Sequence, residues 1–259
     1  MDPFTPKAGY GQDIGYSLTG VINVMSLDEH RVLKSKEHSR QEADALQFVA
    51  SNTTIPVPKV YDVDDEGQNI VIEYMPGNPL DKVWIKLTHD QRDSVCHQLA
   101  GYLAQLRQLT GKQIEAPNGG RVRVGYYQTR WDGPFKTEKE FNHFLAQGTG
   151  LCPGESHKIH FAHGDLSPRN VLVDESGCVT AVLDWEWAGF FPEYWDVARM
   201  LLDTPEKKKV PDYKKHLLSA LTALTNKYEE ELKVMRKVAG LDTIGPGPGK
   251  PVHVVPSSS

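Results

Sequence analysis

The chain has 259 residues and a formal net charge of −5, from 29 Lys plus Arg against 34 Asp plus Glu, a balance that excludes a general electrostatic pull toward nucleic acid or anionic membranes. At 39% hydrophobic residues this length supports a substantial core and fits one unit of two lobes better than two large domains. Cys96, Cys152 and Cys178 form no C-x-x-C pair, which argues against a disulfide framework or a structural zinc site; with no signal-peptide pattern and no apolar run of spanning length, the expectation is a cytoplasmic protein without nucleic-acid or membrane partners.

Residues 1–20 mix Gly, Pro and polar side chains without periodicity and are expected to be poorly ordered. Arg31-Val32-Leu33-Lys34 reads as a short strand. Ser39 precedes Glu42 at capping-box spacing, and Ala45, Leu46, Val49 and Ala50 then recur at helical intervals, predicting a helix over 40–51. Pro56 and Pro58 break it, because proline lacks an N–H and pushes its predecessor toward extended geometry. Lys59 to Val63 and Asn69 to Glu73 read as two strands around the turn at 64–67.

The breaker-rich stretch Met75-Pro76-Gly77-Asn78-Pro79 marks a boundary between an N-terminal lobe, residues 1–76, and a C-terminal lobe, residues 77–244. In the second lobe, Val95, Leu99, Tyr102, Leu103 and Leu106 predict a core helix over 90–109, with Thr88 and Gln91 as a capping box. Lys136 to Ala146 is a further helix. Val171 to Val173 and Val179 to Leu183 read as a hairpin around Asp174-Glu175-Ser176-Gly177. Residues 211–238 read as the final helices, with Leu217, Leu218, Leu221 and Leu224 on one stripe. Residues 245–259, rich in Pro, Gly and Ser, read as a flexible tail.

Chemistry concentrates in His163-Gly164-Asp165-Leu166-Ser167-Pro168-Arg169-Asn170, followed by an apolar strand and then by Leu183-Asp184-Trp185-Glu186. Phosphoryl transfer requires a carboxylate near an attacking hydroxyl, oxygen ligands for Mg²⁺ and positive charge on the phosphates. A loop with Asp165 five positions before Asn170 can aim a carboxylate at an acceptor and an amide oxygen at a metal. The hairpin would return Asp184 beside Asn170, and both offer the hard oxygen donors that Mg²⁺ prefers.

This pattern, H-G-D-x-x-x-x-N and then L-D-W-E after a hairpin, resembles the aminoglycoside phosphotransferase family, whose fold is protein-kinase-like. Val32-Leu33-Lys34, Glu42 within its helix, Ile55-Pro56-Val57-Pro58-Lys59-Val60 and Glu73-Tyr74-Met75-Pro76-Gly77 extend the resemblance over roughly residues 20–203. It implies an α+β, two-lobe fold: a small N-terminal α+β lobe and a larger, mainly helical C-terminal lobe. The implied activity is transfer of the γ-phosphate of ATP, with Mg²⁺, to a hydroxyl of a small molecule. By the same resemblance Asp165 is the catalytic base, or at least the group that orients the acceptor hydroxyl, and Asn170 and Asp184 hold Mg²⁺. Lys34 meets the α- and β-phosphates through an ion pair with Glu42, and the backbone of Glu73, Tyr74 and Met75 meets the adenine. His163 braces the loop, and Asp196 ties it down by hydrogen bonds.

One part departs from the pattern: only Gly15 and Gly20 are available for a glycine-rich lid over the phosphates. A catalytically idle, kinase-like nucleotide-binding module is therefore the alternative, whereas a protein kinase is disfavoured because Trp185-Glu186 replaces the Phe-Gly expected after Asp184. Glu42 read without the resemblance is the capping partner of Ser39. Glu186 is open between a role near the metal and a solvated charge, and Arg169 between a contact to substrate and a loop-surface arginine. Trp185, Trp187, Phe190, Phe191 and Trp195 are expected to pack rather than stack on a ligand, and Lys207-Lys208-Lys209 to be a solvated helix end. The acceptor pocket is expected around 111–150 and the C-terminal helices, with Tyr126, Tyr127, Trp131 and Asp132 as candidate contacts.

Overall fold

A computed structural model describes residues 2–14, 24–36, 39–124, 130–146, 150–202 and 209–239. Gly15, Gly20, Tyr126, Tyr127, Lys207, Lys208 and the tail at 245–259 lie outside the described residues.

The N-terminal lobe is an antiparallel sheet of β1 (Val24–Ser26), β2 (Arg31–Ser35), β3 (Val60–Val63) and β4 (Asn69–Glu73), in the order β1-β2-β4-β3, with helix α1 (Ser39–Asn52) on one face. The period of two along a strand sorts the side chains. Val32 pairs with Ile72 and Lys34 with Ile70, and Val32, Ile70 and Ile72 join the main core under α1. Leu33 pairs with Val71 on the opposite face, where Leu27, Phe4 and Met25 cover them. Lys34 is thereby aimed at α1 and the cleft by strand geometry alone.

Residues 2–14 depart from the expected disorder. They run alongside β1, with Lys7 N–H donating to the Leu27 carbonyl at 2.9 Å, Gly11 N–H to Ser26 at 2.9 Å and Ile14 N–H to Val24 at 2.9 Å. Backbone pairing of this kind needs no hydrophobic period, so it leaves no signature in the sequence.

The chain then passes through β5 (Asn78–Pro79), α2 (Leu80–Val83) and a 3₁₀ turn (Trp84–Lys86) into α3 (His89–Leu106). Thr88 Oγ1 accepts from Gln91 N–H and the Gln91 side chain accepts from Thr88 N–H, so this capping box forms as predicted. The hairpin of β6 (Val122–Val124) and β7 (Arg130–Asp132) and helix α4 (Glu138–Ala146) follow. Strand β8 (Ile159–Ala162) leads into the loop at 163–167, a 3₁₀ turn (Pro168–Asn170), β9 (Val171–Val173) and β10 (Val179–Val182). A 3₁₀ turn (Trp185–Trp187) then precedes β11 (Gly189–Pro192) and α5 (Trp195–Leu202). Helices α6 (Tyr213–Ala220), α7 (Thr222–Lys227) and α8 (Glu229–Val238) close the described chain. Of the predicted leucine stripe there, Leu217 and Leu221 are buried but Leu218 is exposed, because the segment breaks into three helices rather than keeping one period.

Strand β5 pairs with β9, which ties the inter-lobe linker directly to the loop's own hairpin. Gly77 makes that junction possible. Its φ is +136°, and a Cβ there would collide with Thr180 Oγ1. Strands β8 and β11, which pair antiparallel, were not predicted: β8 is only four residues long and β11 reads Gly-Phe-Phe-Pro, with no alternating pattern. A single apolar cluster runs from Val32, Leu46 and Ile70 through Trp84, Leu99 and Leu103 to Phe161, Val171 and Trp185, so the two lobes share one core. A second cluster, including Phe141, Phe191, Trp195 and Met235, supports the C-terminal side. Trp185, Phe191 and Trp195 are packing residues, as expected. Among the described residues no helix is long and apolar enough to cross a membrane.

Candidate active site

Helix α1 presents Glu42, Ala45, Leu46 and Val49 on one buried stripe at i, i+3, i+4 and i+7. Glu42 begins that stripe and meets Lys34 of β2, whose Nζ lies 2.8 Å from Oε1 and 2.7 Å from Oε2. The expected Ser39–Glu42 capping box does not form. Ser39 Oγ instead donates to the Lys36 carbonyl at 2.8 Å, because the Glu42 carboxylate is taken by the ammonium.

Lys34 Nζ also donates to Asp184 Oδ1 at 2.6 Å, closing a bridge between lobes over 150 residues of sequence. Asp184 sits in the left-handed region, φ 64° and ψ 62°, a conformation that costs a non-glycine residue about 1–2 kcal/mol and turns its carboxylate into the cleft. Burial opposes ionisation of Lys34, but the carboxylates of Asp184 and Glu42 outweigh it and hold the ammonium above its ordinary pKa. Burial likewise acts to raise Asp184, and the Lys34 charge overrides it, so its carboxyl lies below the usual range. Glu42 is raised by burial, against the pull of Lys34.

Asp165 is buried in the loop between β8 and β9. Arg169, one turn on, donates to both of its carboxylate oxygens at 2.7 and 2.6 Å. Asn170 Nδ2 donates to Asp165 Oδ2 and to the Asp165 carbonyl, each at 2.9 Å, which leaves the Asn170 amide oxygen pointing away from those bonds. The Asn170 carbonyl accepts from Leu183 N–H at 2.8 Å, placing Asp184 next to the loop. Asp165, Asn170, Asp184, Lys34 and Glu42 thus join through direct side-chain bonds and a single backbone link.

The family model of the phosphotransferase enzyme family matches residues 23–231, which take in every one of these groups. The chain belongs to that family. Its fold is protein-kinase-like, shared with an aminoglycoside-3'-phosphotransferase of type VIII at 19% identity, 90% of this chain, 93% of the other and a TM-score of 0.60. A thermostable mutant of the aminoglycoside phosphotransferase APH(4)-Ia, in a ternary complex with ADP and hygromycin B, matches at 16% identity over 85% and 80% of the two chains with a TM-score of 0.59. The macrolide 2'-phosphotransferase MphH from Brachybacterium faecium, as apoenzyme, matches at 18% identity over 93% and 86% with a TM-score of 0.57. No curated protein sequence matches the chain.

Beneath the phosphotransferase's loop lies a second layer held mainly by backbone. Asp196, at the start of α5, accepts from His163 N–H at 2.9 Å and Gly164 N–H at 2.8 Å, while Arg199 Nε donates to the Gly164 carbonyl at 2.9 Å. Gly164 has φ +78°, and a Cβ would lie 2.5 Å from the Trp187 carbonyl oxygen, so only glycine fits. His163 Nε2–H donates to the Leu183 carbonyl at 3.0 Å and Nδ1 accepts from Asp165 N–H at 3.1 Å. Both ring nitrogens are spent on backbone, and burial pushes this imidazole down to about 4. Burial pushes Asp196 the other way, up to about 6, against its two N–H bonds and Arg199.

Glu186 is not a solvated charge. It is buried, accepts from Lys36 Nζ at 2.6 Å and pairs with Arg123. Arg123 in turn stacks over Trp187, 4.1 Å from the ring centroid, and faces Trp131 at 5.7 Å. Lys36 stands just past the end of β2, and only its two-residue spacing from Lys34 could have drawn attention to it. Arg123 had no such signal, since β6 was not predicted. Asp132, another candidate contact, lies exposed on β7. At the linker, Tyr74 N–H is consumed by the His30 carbonyl at 2.7 Å and Glu73 N–H by Lys59 at 2.8 Å, whereas Met75 N–H makes no backbone hydrogen bond among the described residues.

Proposed function

We propose that this phosphotransferase moves the γ-phosphoryl group of ATP to a hydroxyl of a small molecule, with Mg²⁺. The observation that carries the reading is the convergence of Lys34, Glu42 and Asp184 with the Asp165–Asn170 pair in one cleft. Asp165 accepts the proton of the acceptor hydroxyl as its oxygen bonds to the γ-phosphorus and the bond to the β-phosphate bridging oxygen breaks, releasing ADP. Arg169 grips both Asp165 oxygens and aims them. Lys34, released from part of its pairing with Asp184, meets the α- and β-phosphates while Glu42 keeps it in place. Glu73, Tyr74 and Met75 line the adenine edge, with the Met75 N–H available as donor.

The donor set fits Mg²⁺. The Asp184 carboxylate is ionised, the Asn170 amide oxygen is left over from its bonds to Asp165, and Ser167 Oγ in the same loop is buried without a protein partner. Asn170 and Asp184 would hold the ion, which when bound supplies charge neutralisation on the phosphates. The remaining rate enhancement comes from fixed geometry and preorganised charge. The solved relative in complex with ADP and hygromycin B supports a nucleotide and a hydroxyl-bearing acceptor, and the pocket for the latter is proposed beside Trp131, Asp132 and the C-terminal helices.

The test is a screen of hydroxyl-bearing metabolites and aminoglycosides for Mg²⁺-dependent ATP and GTP consumption. With an acceptor in hand, Asp165→Asn should lower turnover about 10²–10⁴-fold while Mg-ATP still raises the melting temperature. Undiminished turnover in Asp165→Asn would remove the assigned base. Nucleotide binding without turnover on any acceptor would favour an idle binding module.

A further inference from the structure

Away from the cleft, three side chains that the proposed chemistry does not use converge where α3 begins against α6. Asp93 stands one helical turn after His89, so both project from one face of α3. His216 of α6 completes the group from across the helix interface. His89 Nδ1 lies 3.2 Å from Asp93 Oδ2, and His216 Nδ1 lies 2.6 Å from Asp93 Oδ1. The two imidazoles meet edge to face with ring centroids 4.8 Å apart. One ligating atom from each residue lies within 4.8 Å of the others.

We propose that His89, Asp93 and His216 bind a borderline divalent transition metal ion of the Zn²⁺ type, which staples α6 to α3. Two imidazole nitrogens and a carboxylate oxygen are the donor set such ions prefer, whereas Mg²⁺ takes oxygen ligands and keeps its water. Donor atoms about 2.0–2.2 Å from a tetrahedral ion stand about 3.3–3.6 Å apart, whereas those here are 2.6 Å, 3.2 Å and at most 4.8 Å apart, so binding requires His216 Nδ1 to lose its proton to solvent and exchange its hydrogen bond to Asp93 for the ion, and the side chains to adjust. His216 is buried and oriented by edge-on contact with Trp84 at 5.5 Å, while the His89 side chain is 71% exposed. One rigid ligand inside and one open to solvent give the ion an entry path and leave room for water to complete its shell. The start of a helix disfavours a cation, and Asp90, 4.0 Å from His89, offsets that dipole. His97 lies one turn further along but spends Nδ1 on the Asp93 carbonyl at 2.8 Å and stays outside the group.

The test is a Zn²⁺ titration of chelator-stripped full chain in excess Mg²⁺, read by calorimetry and by melting temperature. The expected result is a single Zn²⁺ per chain, a higher melting temperature, and affinity weakened about tenfold or more in both His89→Ala and Asp93→Asn. His89 is exposed, so that variant should fold normally. Cys152 and Cys178 are exposed thiols that also attract Zn²⁺; a Cys152→Ser/Cys178→Ser variant should retain the binding. Absence of Zn²⁺ binding, affinity in the His89→Ala and Asp93→Asn variants equal to that of the parent, or loss of binding with the thiols would each overturn the proposal.

Discussion

Asp184 and Asp196 are twelve residues apart, both flank the same loop, and their surroundings drive them in opposite directions. Asp184 faces the ammonium of Lys34, whose charge overrides the effect of burial and holds the carboxyl below its usual range. Asp196 faces backbone amides beneath the loop and is raised to about 6 by burial. The cleft side is therefore held by side-chain ion pairs between the lobes, while the floor is held by hydrogen bonds from carboxylate and guanidinium to the loop's backbone.

The sharpest way to break this contrast is on the cleft side. Lys34→Met leaves Glu42 and Asp184 without their shared cation, and removing one partner of a buried pair costs about 3–5 kcal/mol. Urea unfolding should show that loss at neutral pH, and a change below about 1 kcal/mol would mean the charges are effectively solvated.

The floor can be tested through pH. An acid raised in the folded state binds its proton there while the unfolded chain has released it, so Asp196 contributes stability that declines as pH rises from about 4 toward about 6. His163, lowered to about 4 from an ordinary 6.5, does the reverse: the unfolded chain binds the proton first, and stability is lost as pH falls through that interval. The two slopes oppose each other over the same range. In Asp196→Asn the His163 slope stands alone, so the unfolding free energy from urea titration should fall more steeply between pH 6.5 and 4 than in the parent, by about 2–3 kcal/mol in total. Parallel curves would show that Asp196 titrates in its ordinary range.

A smaller effect is expected on the far side of the C-terminal lobe, where His157 Nδ1 meets Glu138 at 2.8 Å and Nε2 meets Glu231 at 3.0 Å. Burial acts to lower this imidazole, but the two carboxylates prevail and raise it. Its contribution is fully present below the ordinary histidine value and is lost as pH rises through the raised one. Glu231→Gln should reduce that loss, worth about 1 kcal/mol, in melting temperatures measured from pH 6 to pH 9. An unchanged pH profile would place α8 under the control of its apolar contacts alone.

Sequence by itself determined the local elements whose signals sit within a few residues: β2, α1, β4, the capped start of α3 and the hairpin at 171–182. It also placed Asp165, Asn170 and Asp184 in order, because a loop's spacing survives any tertiary arrangement. Only the tertiary structure decided which partner each charge would take. Glu42 had two available, a local one in Ser39 and a distant one in Lys34, and burial selected the ammonium because an unpaired lysine inside the cleft costs far more than an unfilled cap. The Lys36–Glu186–Arg123 chain and the pairing of β8 with β11 were invisible for the same reason: they join residues far apart in sequence, and no periodicity of either segment encodes the other.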